Sequence, residues 1–136
     1  MNNLVQNKKR SLGSLGERFA QAVYVQKGYK IFDTNVFNRK GKQVGEVDFI
    51  AIGKNDIAFV EVKTRKDVES SYGTGAEAVD IFKQRKILKM VKFFLIRNSY
   101  YMSLRPHVDV VAIVWPPGLE RPSNVHIHKN VIEDFS

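Results

Sequence analysis

The sequence predicts an α/β fold, one central mixed β-sheet flanked by α-helices, with elements in the order α-β-β-β-α-β-β. Three observations carry this. Two windows, one near the start and one in the middle, place apolar residues at helical spacing. Between them, two apolar runs with two-residue alternation flank the turn Gly53-Lys54-Asn55-Asp56. A further apolar run, Val108–Trp115, is introduced by Pro106 and closed by Pro116-Pro117-Gly118. Helices interleaved with strands in this way need one sheet with cover on its faces.

Taken in order, residues 1–11 are polar and basic and read as a flexible arm, leaving 12–136 as a single domain. Leu12 to Lys27 suits a helix with Leu15, Phe19, Ala22 and Val23 on one face, stopped by Gly28. Tyr29 to Phe37 reads as a strand, ended by the polar loop Asn38-Arg39-Lys40-Gly41-Lys42. A hairpin follows, with strands Val44–Ile52 and Ile57–Thr64. The charged, Gly- and Ser-rich residues 65–75 read as a mobile loop. A long helix from Ala76 to Asn98 leads to the strand Val108–Trp115, and a short strand near Val125–His128 ends the chain.

The chain has 136 residues, enough to bury roughly 65–70% of its unfolded surface in one domain. It has no cysteine, which excludes disulfides and thiolate metal sites and suits a reducing cytoplasm. No apolar run reaches the roughly 18 residues of a membrane span. The start, MNNLVQNKKRSLG, lacks the apolar core of a secretory signal. The net charge of +8 favours a polyanionic partner, with nucleic acid first.

The hairpin carries the chemistry. Residues two apart share a face of a strand, so Glu46, Asp48, Ile50 and Ile52 lie together, as do Ile57, Phe59, Glu61 and Lys63. A two-residue loop at Lys54-Asn55 and a four-residue loop give the same register. In it Asp48 faces Glu61 and Glu46 faces Lys63. Facing carboxylates with Cβ atoms roughly 4.5–5.5 Å apart repel. A divalent cation such as Mg²⁺, which takes one or two protein carboxylates and keeps waters, would offset that repulsion. A plain surface face, with Glu46 paired to Lys63, is the other reading of the same residues.

In the long helix, Ile81, Leu88, Val91 and Leu95 form an apolar stripe, and Gln84 falls inside it. A buried amide needs partners, which either the carboxylate cluster or the backbone could supply. Lys83, Arg85, Lys86 and Lys89 crowd the other faces with Lys92. With Arg65 and Lys66 they suit a track for phosphates or a solvated face.

An acidic residue on one strand and Glu-x-Lys on the next resembles the core of the restriction-endonuclease-like superfamily, the PD-(D/E)XK nucleases. Asp48 stands at the lone aspartate and Glu61-Val62-Lys63 at the Glu-x-Lys. In that superfamily an N-terminal helix often adds a glutamate, and the helix after Glu-x-Lys a Gln or Lys. Glu17 and Gln84 stand in those places. The gap from Asp48 to Glu61 is similar to that of archaeal Holliday-junction resolvases.

A resemblance over nearly the whole chain is carried by GSLGERFAQAVYVQKGYKI, Asn35, GEVDFIA, FVEVKTR, AEAVDIFKQRKIL and VDVVAI. These blocks look like the YraN-like family of small uncharacterised bacterial proteins, which shares the nuclease fold. Val47 and Phe49 stand where Ile and Leu are more usual, and residues 39–42 are Lys-rich. No charged position is lost.

The resemblance implies a Mg²⁺- or Mn²⁺-dependent endonuclease acting on DNA, with branched DNA among the candidate substrates. Asp48, Glu61 and the Val62 carbonyl would hold the metal. Lys63 would orient the nucleophile or stabilise phosphate charge, Glu17 would act through water or on a second ion, and Gln84 would position the nucleophile or phosphate. Glu46 would stand behind the ligands or orient Lys63. A homodimer would suit a two-strand substrate such as a junction. A non-catalytic nucleic-acid-binding or adaptor protein that keeps the fold is the alternative, and a protein-partner module in DNA processing a third. His126 and His128 share a strand face without a third ligand. His107 reads as a cap or a solvent-facing residue ahead of its strand. Trp115 and Phe93-Phe94 read as core, and Tyr100-Tyr101, at the end of the basic helix, as a pair able to stack on bases.

Overall fold

The computed structural model describes residues 11–36, 47–67 and 81–132. Helix α1 spans Leu12–Gln26, followed by β1 (Lys30–Val36), β2 (Val47–Ile52) and β3 (Asp56–Arg65). Helix α2 covers Ile81–Arg97, a 3₁₀ turn takes Ser99–Tyr101, and β4 (Arg105–Val114) and β5 (Asn124–His128) follow. The expected arm over 1–10, the loop at 38–42 with Glu46, most of the loop at 65–75 and the helix start at Ala76 lie outside the described residues.

The five strands form one mixed sheet in the order β1-β2-β3-β4-β5. All neighbouring pairs are antiparallel except β3 and β4, which run parallel from Asp56↔Arg105 to Arg65↔Val114. A parallel pair needs a crossover, and α2 is its helical part. The fold is thus the expected mixed α/β arrangement, a central sheet flanked by helices, and is consistent with a restriction-endonuclease-like core.

Two clusters cover the two faces of the sheet. On one, Ile50, Ile57, Phe59, Val108 and Val110 pack against Ile87, Met90, Val91 and Phe94 of α2. On the other, Phe49, Ala51, Ala58, Val60, Val111 and Ile113 pack against Ala20 and Tyr24 of α1. Each large apolar side chain removed from water here stabilises the fold by about 1.5–3 kcal/mol. The α2 stripe is rotated from the expected one: Ile87, Met90 and Phe94 are buried beside Val91, and Leu88 and Leu95 only flank them.

Helix α1 begins at Ser11, whose hydroxyl accepts the Ser14 N–H at 3.1 Å. It ends in a Schellman motif. Tyr29 N–H donates to Tyr24 O, Gly28 N–H to Val25 O, and Gly28 takes a φ of +101° that a side chain would oppose. The accompanying apolar contact is between the Tyr24 and Tyr29 rings, 5.3 Å apart.

The fully buried face of α1 is Gly16, Ala20 and Tyr24; of the expected residues Phe19 packs at the edge of this cluster, Leu15 and Val23 are half-buried and Ala22 is exposed. The smallest side chains lead because the helix lies very close to β3. A Cβ at Gly16 would overlap the Thr64 Oγ1.

Strand β4 begins three residues earlier than expected and contains Pro106 and His107. Proline is tolerated because β5 pairs only with Val110–Val114, so β4 has a free ladder edge at Pro106 among the described residues.

Candidate active site at a fork in the sheet

The hairpin register is the expected one. Ile52 faces Ile57, Ala51 faces Ala58, Ile50 faces Phe59 and Phe49 faces Val60. Gly53 N–H donates to Asp56 O at 2.8 Å and closes the turn. A bulge is present, but between β1 and β2 at Phe32, so it leaves the β2–β3 register intact.

The ladder stops one pair short of Asp48 and Glu61. Beyond Phe49↔Val60, β2 stays with β1, where Val47 faces Val36, and β3 stays with β4. The sheet forks at this point. Here the Asp48 carboxylate reaches across and accepts the Val62 N–H at 2.6 Å. A charge-assisted bond of this kind replaces the missing ladder bond and holds the carboxylate at the mouth of the fork.

Glu61 is buried at 8% exposure on the α2 face of β3. One partner is on its own strand: Lys63 Nζ lies 3.3 Å from Glu61 Oε1. The cross-strand pair of Glu46 with Lys63 cannot be placed, because Glu46 lies outside the described residues. Glu17 follows Gly16, which abuts Thr64, so α1 brings this glutamate to the same end of β3. Gln84 is half-buried and continues the stripe of Ile87, Val91 and Phe94 towards the same end of the sheet.

The donor set suits a hard cation. A carboxylate has about four lone-pair sites, so accepting from Val62 does not in itself keep Asp48 from ligating a cation. Mg²⁺ takes one or two carboxylates and fills its remaining positions with water. Among the described residues no group of three or more His, Cys, Asp or Glu converges as a closed metal cage would require, and His126 and His128 are in none. Their rings lie 4.2 Å apart on β5.

Of the expected phosphate-binding cations, Lys66, Arg85, Lys86 and Lys89 are exposed and Arg65 is half-buried. The Lys83 side chain lies outside the described part of α2.

On the opposite face lies a polar cluster that the sequence reading missed. His107 is buried, not solvent-facing. Its Nδ1 lies 2.8 Å from Asp109 Oδ1 and its Nε2 lies 2.7 Å from Asp56 Oδ2. Tyr24 donates to Asp109 Oδ2 at 2.7 Å, Tyr29 donates to Asp56 Oδ2 at 2.5 Å, and Asn130 N–H donates to Asp109 Oδ1. Two carboxylates facing both ring nitrogens select the imidazolium, which donates from each.

Burial opposes that charge, but the hydrogen bonds and charges of Asp109 and Asp56 outweigh it and raise the His107 pKa. Burial likewise pushes Asp56 up, but hydrogen bonds from Tyr29 and His107 prevail and hold it below the usual range. Burial and the Asp56 bond push Tyr29 up to about 12, and burial and the Asp109 charge raise Tyr24 further. The available signal was Asp109 itself, a lone charge in an apolar strand two residues from a histidine.

Comparison with known proteins places these sites in a family. The profile of the uncharacterised protein family UPF0102 matches residues 16–113. The chain belongs to that family. A UPF0102 protein of Caldanaerobacter subterraneus subsp. tengcongensis is 41% identical over 109 residues, covering 80% of this chain and 84% of that one. A UPF0102 protein of Carboxydothermus hydrogenoformans is 32% identical over 128 residues, covering 92% and 98% of the two chains. The UPF0102 match spans Glu17, Asp48, Glu61, Lys63 and Gln84 as well as Tyr24, Tyr29, Asp56, His107 and Asp109 of the polar cluster, and stops before His126, His128 and Asn130. This is the family that the sequence blocks resemble.

Proposed function

We propose that this UPF0102 protein is a metal-dependent endonuclease that hydrolyses DNA phosphodiester bonds at the fork between β2 and β3. The observation that carries the reading is the Asp48 carboxylate anchored on Val62 N–H, where β2 leaves β3 beside Glu61 and Lys63. Bound Mg²⁺ or Mn²⁺ would supply Lewis-acid polarisation of the phosphate and a more acidic water.

The residues of the chain do the rest. Asp48 and Glu61 hold the cation, joined by the Val62 carbonyl, which points to the same strand edge as its N–H. Lys63, within reach of Glu61, stabilises charge developing on the phosphate or orients the attacking water. Gln84 positions the water or the phosphate from α2, and Glu17 acts through water from α1. Exposed Lys66, Arg85, Lys86 and Lys89 hold the DNA backbone.

The test is cleavage of duplex, single-stranded and branched DNA with Mg²⁺ or Mn²⁺. Wild type cuts at least one substrate and Asp48→Ala cuts none. Equal behaviour on all three rejects the reading.

A second reading, a non-catalytic nucleic-acid-binding or adaptor protein, is favoured by one observation. Asp48 and Glu61 each have a partner within the protein, the Val62 N–H and the Lys63 ammonium. That protein would show salt-sensitive DNA binding that survives Asp48→Ala and weakens in Lys86→Glu.

A further inference from the structure

Helix α2 carries six basic residues and no acidic one over Ile81–Arg97. Its inner face is spent on the core, and Arg85, Lys86, Lys89 and Lys92 point outward. Further along, exposed aromatic and apolar residues follow: Phe93 is half-exposed and Ile96 exposed on α2, and Tyr100 is exposed in the 3₁₀ turn that comes after it. The change from cations to aromatics runs along the helix, away from the fork. Arg85 and Arg97 are separated by about 18 Å at 1.5 Å per residue.

The aromatic end is built rather than loose. Tyr100 is 86% exposed, so folding gains nothing by burying it. Its ring is nevertheless braced edge-on by Tyr101 at 5.3 Å, and Tyr101 stacks on the buried Phe94 ring. The Arg97 guanidinium lies 5.2 Å over the Phe93 ring, which holds a planar cation in the last turn of α2.

We propose that the outer face of α2 and the 3₁₀ turn that follows it bind a single-stranded nucleic-acid segment, with phosphates on Arg85, Lys86, Lys89 and Lys92 and a base stacked on Tyr100. The inference rests on nucleic acid being the partner of the fork, and it names the form of that partner as one with unpaired bases. Cationic grooves with aromatic platforms bind single strands because every base has a face to stack, whereas a duplex hides its bases. A second copy of the chain is a poor occupant, since a two-fold contact would set these cations against themselves. A membrane surface also fits poorly. A helix lying on lipid needs an apolar face along its length, and here that face is in the core.

The experiment measures binding of a short oligothymidylate and of a duplex to the full chain in the presence of a chelator. Cleavage is then silent, and failure of the catalytic reading leaves the result unaffected. Tyr100→Ala is expected to weaken single-strand binding by about tenfold or more, with Tyr100→Phe close to wild type and duplex binding unchanged. Lys89→Ala is expected to weaken binding and lower the salt slope by about 0.7. Wild-type single-strand affinity in both Tyr100→Ala and Lys89→Ala overturns the proposal. So does loss of anionic-vesicle binding, or of a dimer, in these variants with single-strand binding intact.

Discussion

The Asp48 carboxylate and the Val62 N–H meet at 2.6 Å where β2 and β3 part. The bond is both a structural clasp and the anchor of the candidate metal ligand, and two substitutions separate the roles. Asp48→Asn keeps an oxygen that can accept from Val62, so stability should change little while metal-dependent cleavage is lost. Asp48→Ala removes the acceptor as well and should cost about 1–3 kcal/mol. Denaturant melts beside cleavage assays check both. An Asp48→Asn variant that still cuts would remove Asp48 from the chemistry.

His107 makes stability depend on pH in a defined direction. Its folded pKa is raised, so its contribution is complete below the unfolded value of about 6.5 and fades as pH rises through the folded pKa. Asp56 is lowered, so its contribution is present above about 3.9 and is lost as pH falls through its folded pKa. Stability from the cluster is therefore greatest between these two values. Thermal melts across pH should show it, and His107→Gln should flatten the decline on the alkaline side.

Tyr24 should matter more than a phenol usually does. Its hydroxyl donates to Asp109, which is fully buried. Tyr24→Phe leaves the ring packing and removes only that donor, at a cost of about 1.5–3 kcal/mol. A chemical-denaturation midpoint equal to wild type would show that the other bonds to Asp109 suffice.

Gly16→Ala should destabilise although alanine favours helix by about 1 kcal/mol. The new methyl meets Thr64, and overpacking of this kind costs about 1–3 kcal/mol. The Gly16→Ala/Thr64→Ala double variant should recover part of the loss, because the hydroxyl that obstructs is gone. Independent, additive losses would place the effect elsewhere.

The hairpin was legible because its register is local. Gly53-Lys54-Asn55-Asp56 allows one register under either loop length, and the alternation then assigns Ile50, Ile52, Ile57 and Phe59 to one face. The stop at Gly28 was legible for a similar reason, a left-handed residue where glycine alone is unstrained. The charged positions of the site could be named from the chain alone because they break an apolar pattern.

What lay beyond the sequence depends on which strands keep which neighbours. The fork arises because β2 follows β1 while β3 follows β4, and hairpin periodicity carries no information about either outer strand. The phase of α1 was set by how near the helix comes to Thr64, a contact that favours Gly16 and Ala20 over larger apolar residues. His107 reads as a loop residue until the parallel ladder draws it into β4. Its partner Asp56 is 51 residues away, and Tyr24 and Asp109 are 85 apart. Local pattern fixes faces and turns. The meeting of charges this distant in the chain is decided only when the layers pack, because burial is what obliges them to find one another.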